Sequence, residues 1–374
     1  MMQQTTNLPA RQAGYKPRPN GCSSGRAQTL QPLLWGLLHG LNDFTAGFML
    51  AHYTFTHQYA QSFPLIVIYS IIGFGGQLPV GFWIDYKKQL RPFAFISITS
   101  LLVAVLTYFI DAYTAIILSG IASAFVHVTG GAVCLQQNDN KTGPLAIFTA
   151  PGVLGLTLGG VLGKFSVYSL WLVVGLVLLL AFFIFKNNIP AYRQPEKKQS
   201  ELDTHDWLML GILLFMCFRS FIFDIINHVA QQYPNGIVII GISAFAGKII
   251  GGFAADKISW KKMVYITLPL ALLLFQLGKD NIYALAFGIA CLQSSVPVTL
   301  LMMSRSLPQY PATATALSVG TAVAFAGLPL FMVGDAQTII NSFNSNWLTA
   351  AIFIMLLICW WLADKFLFRK KLIG

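Results

Sequence analysis

His39, Asp43 and Gly47 fall at i, i+4 and i+8 of one apolar window, so they share a helix face. A carboxylate surrounded by apolar residues is costly, and its protonation answers to whether water reaches it. Asp43 therefore suits proton coupling, with His39, one turn away, as the group that passes the proton on. Asn42 adds an amide that suits contact with a solute. The alternative for Asn42 and Asp43 is hydrogen-bonding glue between helices. Arg219 lies mid-window elsewhere and needs a carboxylate or an anionic ligand, because its guanidinium stays charged. Asp224, five residues on, lies on a different part of the helix, so an ion pair between Asp43 and Arg219 is expected, broken by a proton or an anionic substrate.

Other polar residues sit in similar windows. Asp224 and His228 share a face, with an interfacial role for His228 as the alternative. Gln293 and Ser294, with Ser295 and Pro297, offer hydrogen bonds where proline interrupts a helix, suiting substrate contact, although neighbouring helices also tolerate such breaks. Lys248 reads as a side chain whose head snorkels to the interface, or else as a second anion contact. Gly152, Gly155, Gly159 and Gly160 have the spacing that lets helices approach closely. The five cysteines form no CxxC pattern, and no phosphate-binding Gly-rich loop or metal-ligand spacing is present. No metal, cofactor or catalytic constellation is expected.

The elements that position these residues follow from composition. Of 374 residues, 56% are hydrophobic and 10% charged, more apolar surface than one water-soluble core requires. Apolar windows near the 20 or so residues that cross a bilayer recur without the alternation of a barrel strand. They predict spans near 31–54, 62–84, 92–110, 112–136, 144–164, 168–186, 207–230, 235–255, 262–277, 281–304, 311–333 and 347–366. The net charge of +11 does not mark a nucleic-acid binder, since the basic residues cluster at span ends. Alternating the connections leaves Lys164 and Lys279 on one side and nearly all other loop Lys and Arg on the other. That asymmetry predicts cytoplasmic N- and C-termini in an inner (plasma) membrane. The chain divides into a disordered tail (1–30), a six-helix bundle (31–186), a cytoplasmic linker (187–206) and a second six-helix bundle (207–374).

The halves repeat. Gly81 and Asp85 close the second span, followed by Lys87, Lys88 and Arg91; Gly252 and Asp256 close the eighth, followed by Lys257, Lys261 and Lys262. Gly-x-x-x-Asp followed by basic residues, at the same place in each half, resembles the major facilitator superfamily. The resemblance implies an all-α membrane protein of twelve helices in two six-helix pseudo-repeats rocking about a midplane site. It also implies a cavity lined by helices 1, 4, 7 and 10, whose spans here hold Asp43, His127, Arg219 and Gln293. Gly81, Asp85, Lys87, Gly252, Asp256 and Lys257 then form a cytoplasmic latch, the alternative being plain basic loops.

A closer resemblance, to the fosmidomycin-resistance branch, rests on His39 to Asp43, on His127 after Ser123, and on Ile147 to Gly155. The chain departs from it at Val128 and Thr129, where a proline and an acidic residue would stand. It implies proton-coupled export of a small solute by a monomer, with His127 binding substrate or relaying protons, the alternative being a packing histidine. The competing readings are a proton-coupled importer of a nutrient or siderophore-like anion, and a non-transporting receptor. A channel or an intramembrane enzyme has no motif here.

Overall fold

The structure, a computed structural model, describes residues 25–57, 59–137, 141–192, 202–333, 338, 341 and 346–369. The tail up to residue 24 and linker residues 193–201 lie outside the described residues. Within them the chain is helical. The first half contains α1 (Gly25–Thr56), α2 (Tyr59–Ser70), α3 (Gln77–Lys87), α4 (Arg91–Thr107), α5 (Ala112–Gln137), α6 (Gly143–Leu162) and α7 (Leu170–Lys186). The second contains α8 (Leu202–Ala230), α9 (Gly236–Ile258), α10 (Trp260–Leu277), α11 (Ile282–Gln293), α12 (Val296–Ser306), α13 (Pro311–Thr315), α14 (Ala322–Val333) and α15 (Asn346–Arg369). α1 begins inside the stretch expected as tail, and α8 inside the expected linker.

Twelve spans result. Nine stretches of the described residues are long and apolar enough to cross a bilayer, and Arg91–Thr107 and Pro311–Gly327 are shorter apolar helices. The twelfth is α1, 32 residues long, whose hydropathy is diluted by the polar residues that make it interesting. Two spans carry π-turns: Ile71–Gly75 joins α2 to α3, and Ala316–Thr321 joins α13 to α14. The tenth span breaks between α11 and α12 at Ser294 and Ser295, just before Pro297, which lacks the N–H to continue the ladder.

Each half has its own core. Trp35, Phe48, Ile98 and Phe148 belong to the first, and Phe215, Phe275, Phe353 and Trp360 to the second. Outward-facing residues such as Leu172, Phe182, Ile250 and Leu277 are exposed, as a lipid solvent permits.

α1 and α6 pack backbone to backbone. A Cβ on Gly155 would collide with the Gly40 carbonyl, one on Gly159 with that of Phe44, and one on Gly47 with that of Leu156. Pro151 leaves the Ile147 carbonyl without its helical donor, and that carbonyl points at Gly36. A Cβ on Gly160, expected among these contacts, would meet nothing, although the Gly160 backbone nitrogen lies 3.0 Å from where a Cβ on Gly47 would stand. The close crossing presses the His39–Asp43 face of α1 against α6.

Candidate functional site

Three side chains from two helices converge in the first half. His39 Nε2 lies 3.2 Å from Asp43 Oδ2, and His127 Nε2 from α5 lies 3.2 Å from Asp43 Oδ1. Asn42 donates to Asp43 Oδ1 at 2.9 Å. Both imidazoles are buried, and their rings meet edge to face at 4.3 Å. Gly152 of α6 makes room for them, because a Cβ there would collide with His39 and lie 2.7 Å from Asp43 Oδ2.

Backbone carbonyls decide the tautomers. His39 Nδ1 is 2.9 Å from the Phe148 carbonyl, and His127 Nδ1 is 2.7 Å from the Ser123 carbonyl. A carbonyl only accepts, so each Nδ1 carries its proton and each Nε2 directs its remaining valence at the carboxylate. With no further proton, two lone pairs face two carboxylate oxygens. The arrangement is satisfied by protons on the Nε2 atoms or by a bound cation.

The second half answers with cations. Arg219, buried on α8, donates to Thr299 Oγ1 of α12 at 2.8 Å, and no carboxylate of the described residues lies within ion-pair distance. Lys248 of α9 donates at 3.2 Å across the halves to the carbonyl of Thr149 on α6, the residue after the one that holds His39.

The repeated motifs clasp the halves at one end of the bundle. Asp85 accepts from the backbone N–H groups of Ala312 (3.1 Å) and Thr313 (2.7 Å) and from Thr313 Oγ1 (2.6 Å), so it caps α13. Asp256 accepts from the N–H groups of Thr142 (2.7 Å) and Gly143 (2.8 Å) and from Thr142 Oγ1 (2.8 Å), so it caps α6. Each carboxylate sits where unpaired N–H groups and the helix dipole favour negative charge. One turn earlier, Gly81 packs on Ala312 and Thr313, and Gly252 on Ala146 and Thr142. The glycine permits the approach and the aspartate fastens it.

The model of the Major Facilitator Superfamily matches residues 33–278, well over half of the chain. The chain belongs to the Major Facilitator Superfamily. Solved structures agree on the fold. FucP, the fucose:proton symporter of E. coli, in its outward conformation superposes with a TM-score of 0.68 at 14% identity, over 91% of this chain and 98% of that one. The human organic anion transporter MFSD10 gives 0.62 at 16%, over 91% and 100%. A bacterial homologue of the iron transporter ferroportin in its outward-facing state gives 0.62 at 14%, over 91% and 99%. No curated protein sequence matches the chain. The protein is thus a multi-pass membrane protein with the fold of secondary transporters.

Within this facilitator, several expectations change. Asp43 and Arg219 do not pair: the histidines of its own half occupy the carboxylate, and Thr299 takes the guanidinium. Asn42 turns to Asp43 rather than outward. Ser294 donates to the Cys291 carbonyl at 2.6 Å and has Thr267 Oγ1 and Met263 Sδ of α10 at 3.1 and 3.3 Å, so it joins helices. Gln293 is buried beside the break. His228 Nδ1 is 2.9 Å from the backbone carbonyl of Asp224, not from its carboxylate. Lys248 reaches the other half, not the interface. Lys87 and Lys257 are exposed beside the latches and take no part in their hydrogen bonds; Lys87 lies over the Tyr86 ring. No metal was expected from spacing along the chain, yet the ligand atoms of His39, Asp43 and His127 lie within 4.8 Å of one another. Reasoning along the chain named Gly152 only as a helix-contact residue, and it missed Thr142, Thr313 and Tyr192. The two threonines are helix-start signals, legible as such but not as partners of a distant aspartate.

Proposed function

We propose that the protein is a proton-coupled secondary transporter that exports a small organic solute bearing an anionic group. The observation that carries the reading is the placement of Asp43 between His39 Nε2 and His127 Nε2, with both Nδ1 atoms committed to carbonyls. The protonated cluster is internally satisfied. Removing the protons sets acceptors against acceptors, and relief requires the helices to move. That demand reaches the other half through consecutive carbonyls of α6, since Phe148 holds His39 and Thr149 holds Lys248 of α9.

Arg219, with donors beyond the one that Thr299 takes, is the contact for the anionic group, joined by Lys248 when it leaves Thr149. The basic loops support a cytoplasmic location for the latched end and both termini, in an inner (plasma) membrane. The clasps at Asp85 and Asp256 then hold the outward-facing state. Export follows the likeness to the fosmidomycin-resistance branch in His39 to Asp43 and Ile147 to Gly155. The unit of function is the monomer.

The test is proton flux in proteoliposomes under an imposed pH gradient, with a panel of small organic anions, cations and neutral compounds. An anion that moves protons with wild type and not with Asp43→Asn supports the reading, and the sign of the flux gives the direction. Equal solute movement by both proteins, without proton movement, would falsify the coupling.

A further inference from the structure

The His39–Asp43–His127 cluster has the form of a metal site as well as that of a proton site. Two imidazole nitrogens and a carboxylate are the donor set that late first-row divalent ions favour over magnesium or calcium. For metal-ligand bonds of about 2.1 Å, neighbouring donors stand roughly 3.0 Å apart in an octahedron and about 3.4 Å apart in a tetrahedron. Each histidine Nε2 is 3.2 Å from its Asp43 oxygen, inside that interval.

The surroundings agree. A metal-binding histidine usually donates its other ring N–H to a carbonyl, which fixes the tautomer and orients the ring. His39 does so to Phe148, and His127 to Ser123, at 2.9 Å and 2.7 Å. Asn42 steadies the carboxylate, and Gly152 keeps the space beside it free of side-chain atoms. Tyr69 of α2, bonded to Ser123, and Lys248 of α9 are the further titratable groups whose electrostatic influence reaches Asp43. The Lys248 charge opposes a cation and limits affinity, which suits an ion that must also be released.

We propose that His39 Nε2, the Asp43 carboxylate and His127 Nε2 form a binding site for one divalent first-row transition-metal ion, with the remaining coordination positions left to water or to donors of a bound solute. The inference rests on reading this cluster as the transporter's cation-carrying site, and it makes the metal ion an alternative occupant to the protons.

Cobalt(II) serves as the probe, titrated into the purified full-length protein in detergent after removal of any affinity tag, with visible ligand-field absorption as the readout. One Co2+ per chain is expected, displaced by Zn2+ and not by Mg2+. Removing a ligand through His127→Gln should weaken binding by more than the ten- to hundredfold typical of an outer partner. To separate loss of a ligand from misfolding, His127→Cys is the second arm. It retains a donor and should bind Co2+ with a new thiolate-to-metal charge-transfer band. Absence of saturable Co2+ binding in wild type overturns the site, as does equal binding by His127→Gln or a His127→Cys spectrum without the thiolate band. Asp43-dependent proton flux without Co2+ binding overturns the metal site alone. Co2+ binding with these signatures but without such flux supports the metal site and overturns only the proton reading.

Discussion

The two halves share a helix order and a latch motif, yet they place opposite chemistry at the middle of the molecule. The first half gathers His39, Asp43 and His127 around one carboxylate, each atom facing a partner. The second sets out Arg219 and Lys248 on oxygen atoms of neutral groups, a threonine hydroxyl and a main-chain carbonyl. On the proposed reading, the closed cluster holds small cations, whereas cations resting on weak neutral acceptors are ready for a stronger, negatively charged one. The halves thus share a scaffold and a latch motif and differ in the charged groups they bring to the middle of the molecule.

Breaking that contrast on the first side should have the largest effect. Asp43→Asn removes the charge that both imidazoles share, and proton flux should be lost while the protein still inserts and folds. On the second side, Arg219→Gln should retain proton-coupled turnover at saturating solute but raise KM. A hydrogen bond to a charged group is worth about 1.5–3 kcal/mol, or roughly ten- to 150-fold. Arg219→Lys should recover little, because a point charge does not replace a planar fork. If Arg219→Gln leaves KM unchanged and lowers turnover instead, the assignment of anion binding to the second half is wrong.

Gly152→Ala sharpens the same comparison from inside α6. The added methyl collides with His39 and crowds Asp43, so the cluster must splay, whereas Gly160→Ala meets nothing. Overpacking of this kind costs about 1–3 kcal/mol. Proton flux should fall with Gly152→Ala and not with Gly160→Ala, and the thermal midpoint of the purified protein should fall with it.

How much of this was legible in the chain depends on the distance over which each cause acts. The spans and the repeated motif follow from local composition and alternating charge, and the helical facilitator fold agrees with the spans, although α1 and α8 begin earlier than expected. Asp43 and His39 were legible because one helix carries both. His127 could be named, but its union with Asp43 depends on how α5 and α1 cross, which neither helix encodes alone. The same holds for Arg219: its charge demanded a partner, and the nearest acceptor proved to be Thr299, a residue with no charge to advertise it. Lys87 and Lys257 misled because positive loops set topology whether or not they also touch the opposite half.

The latches offer a smaller contrast. Asp85 and Asp256 each cap a helix start through two main-chain N–H groups and a threonine hydroxyl, so Asp85→Asn and Asp256→Asn should shift the protein toward the state open at the latched end by similar amounts. Losing a charged cap costs about 1–2 kcal/mol, or roughly five- to thirtyfold in that equilibrium. Alkylation of single cysteines introduced at the latched interface reads the shift. Unequal shifts well beyond the contribution of one hydrogen bond would show that the two clasps are not mechanically equivalent.

The two clasps differ in their neighbours: the Thr142 hydroxyl lies 2.6 Å from the Gly252 carbonyl, and Asp85 has a tyrosine partner. Tyr192, just before the undescribed part of the linker, donates to Asp85 Oδ1 at 2.6 Å and lies 3.1 Å from the Gln309 carbonyl, and the described residues contain no counterpart at Asp256. Among the described residues of the linker, Tyr192 thus ties into the Asp85 latch. Tyr192→Phe removes the hydroxyl and keeps the ring, so its cost is that of a single hydrogen bond to a charged group, tempered by partial exposure. The expected shift is about threefold to tenfold toward opening, on the order of 1 kcal/mol. Combined with Asp85→Asn the tyrosine substitution should add little, because its acceptor has already lost its charge; combined with Asp256→Asn it should add in full. A full additive effect in both backgrounds would place Tyr192 outside the latch, and a null effect in both would leave the two clasps functionally alike despite the extra bond.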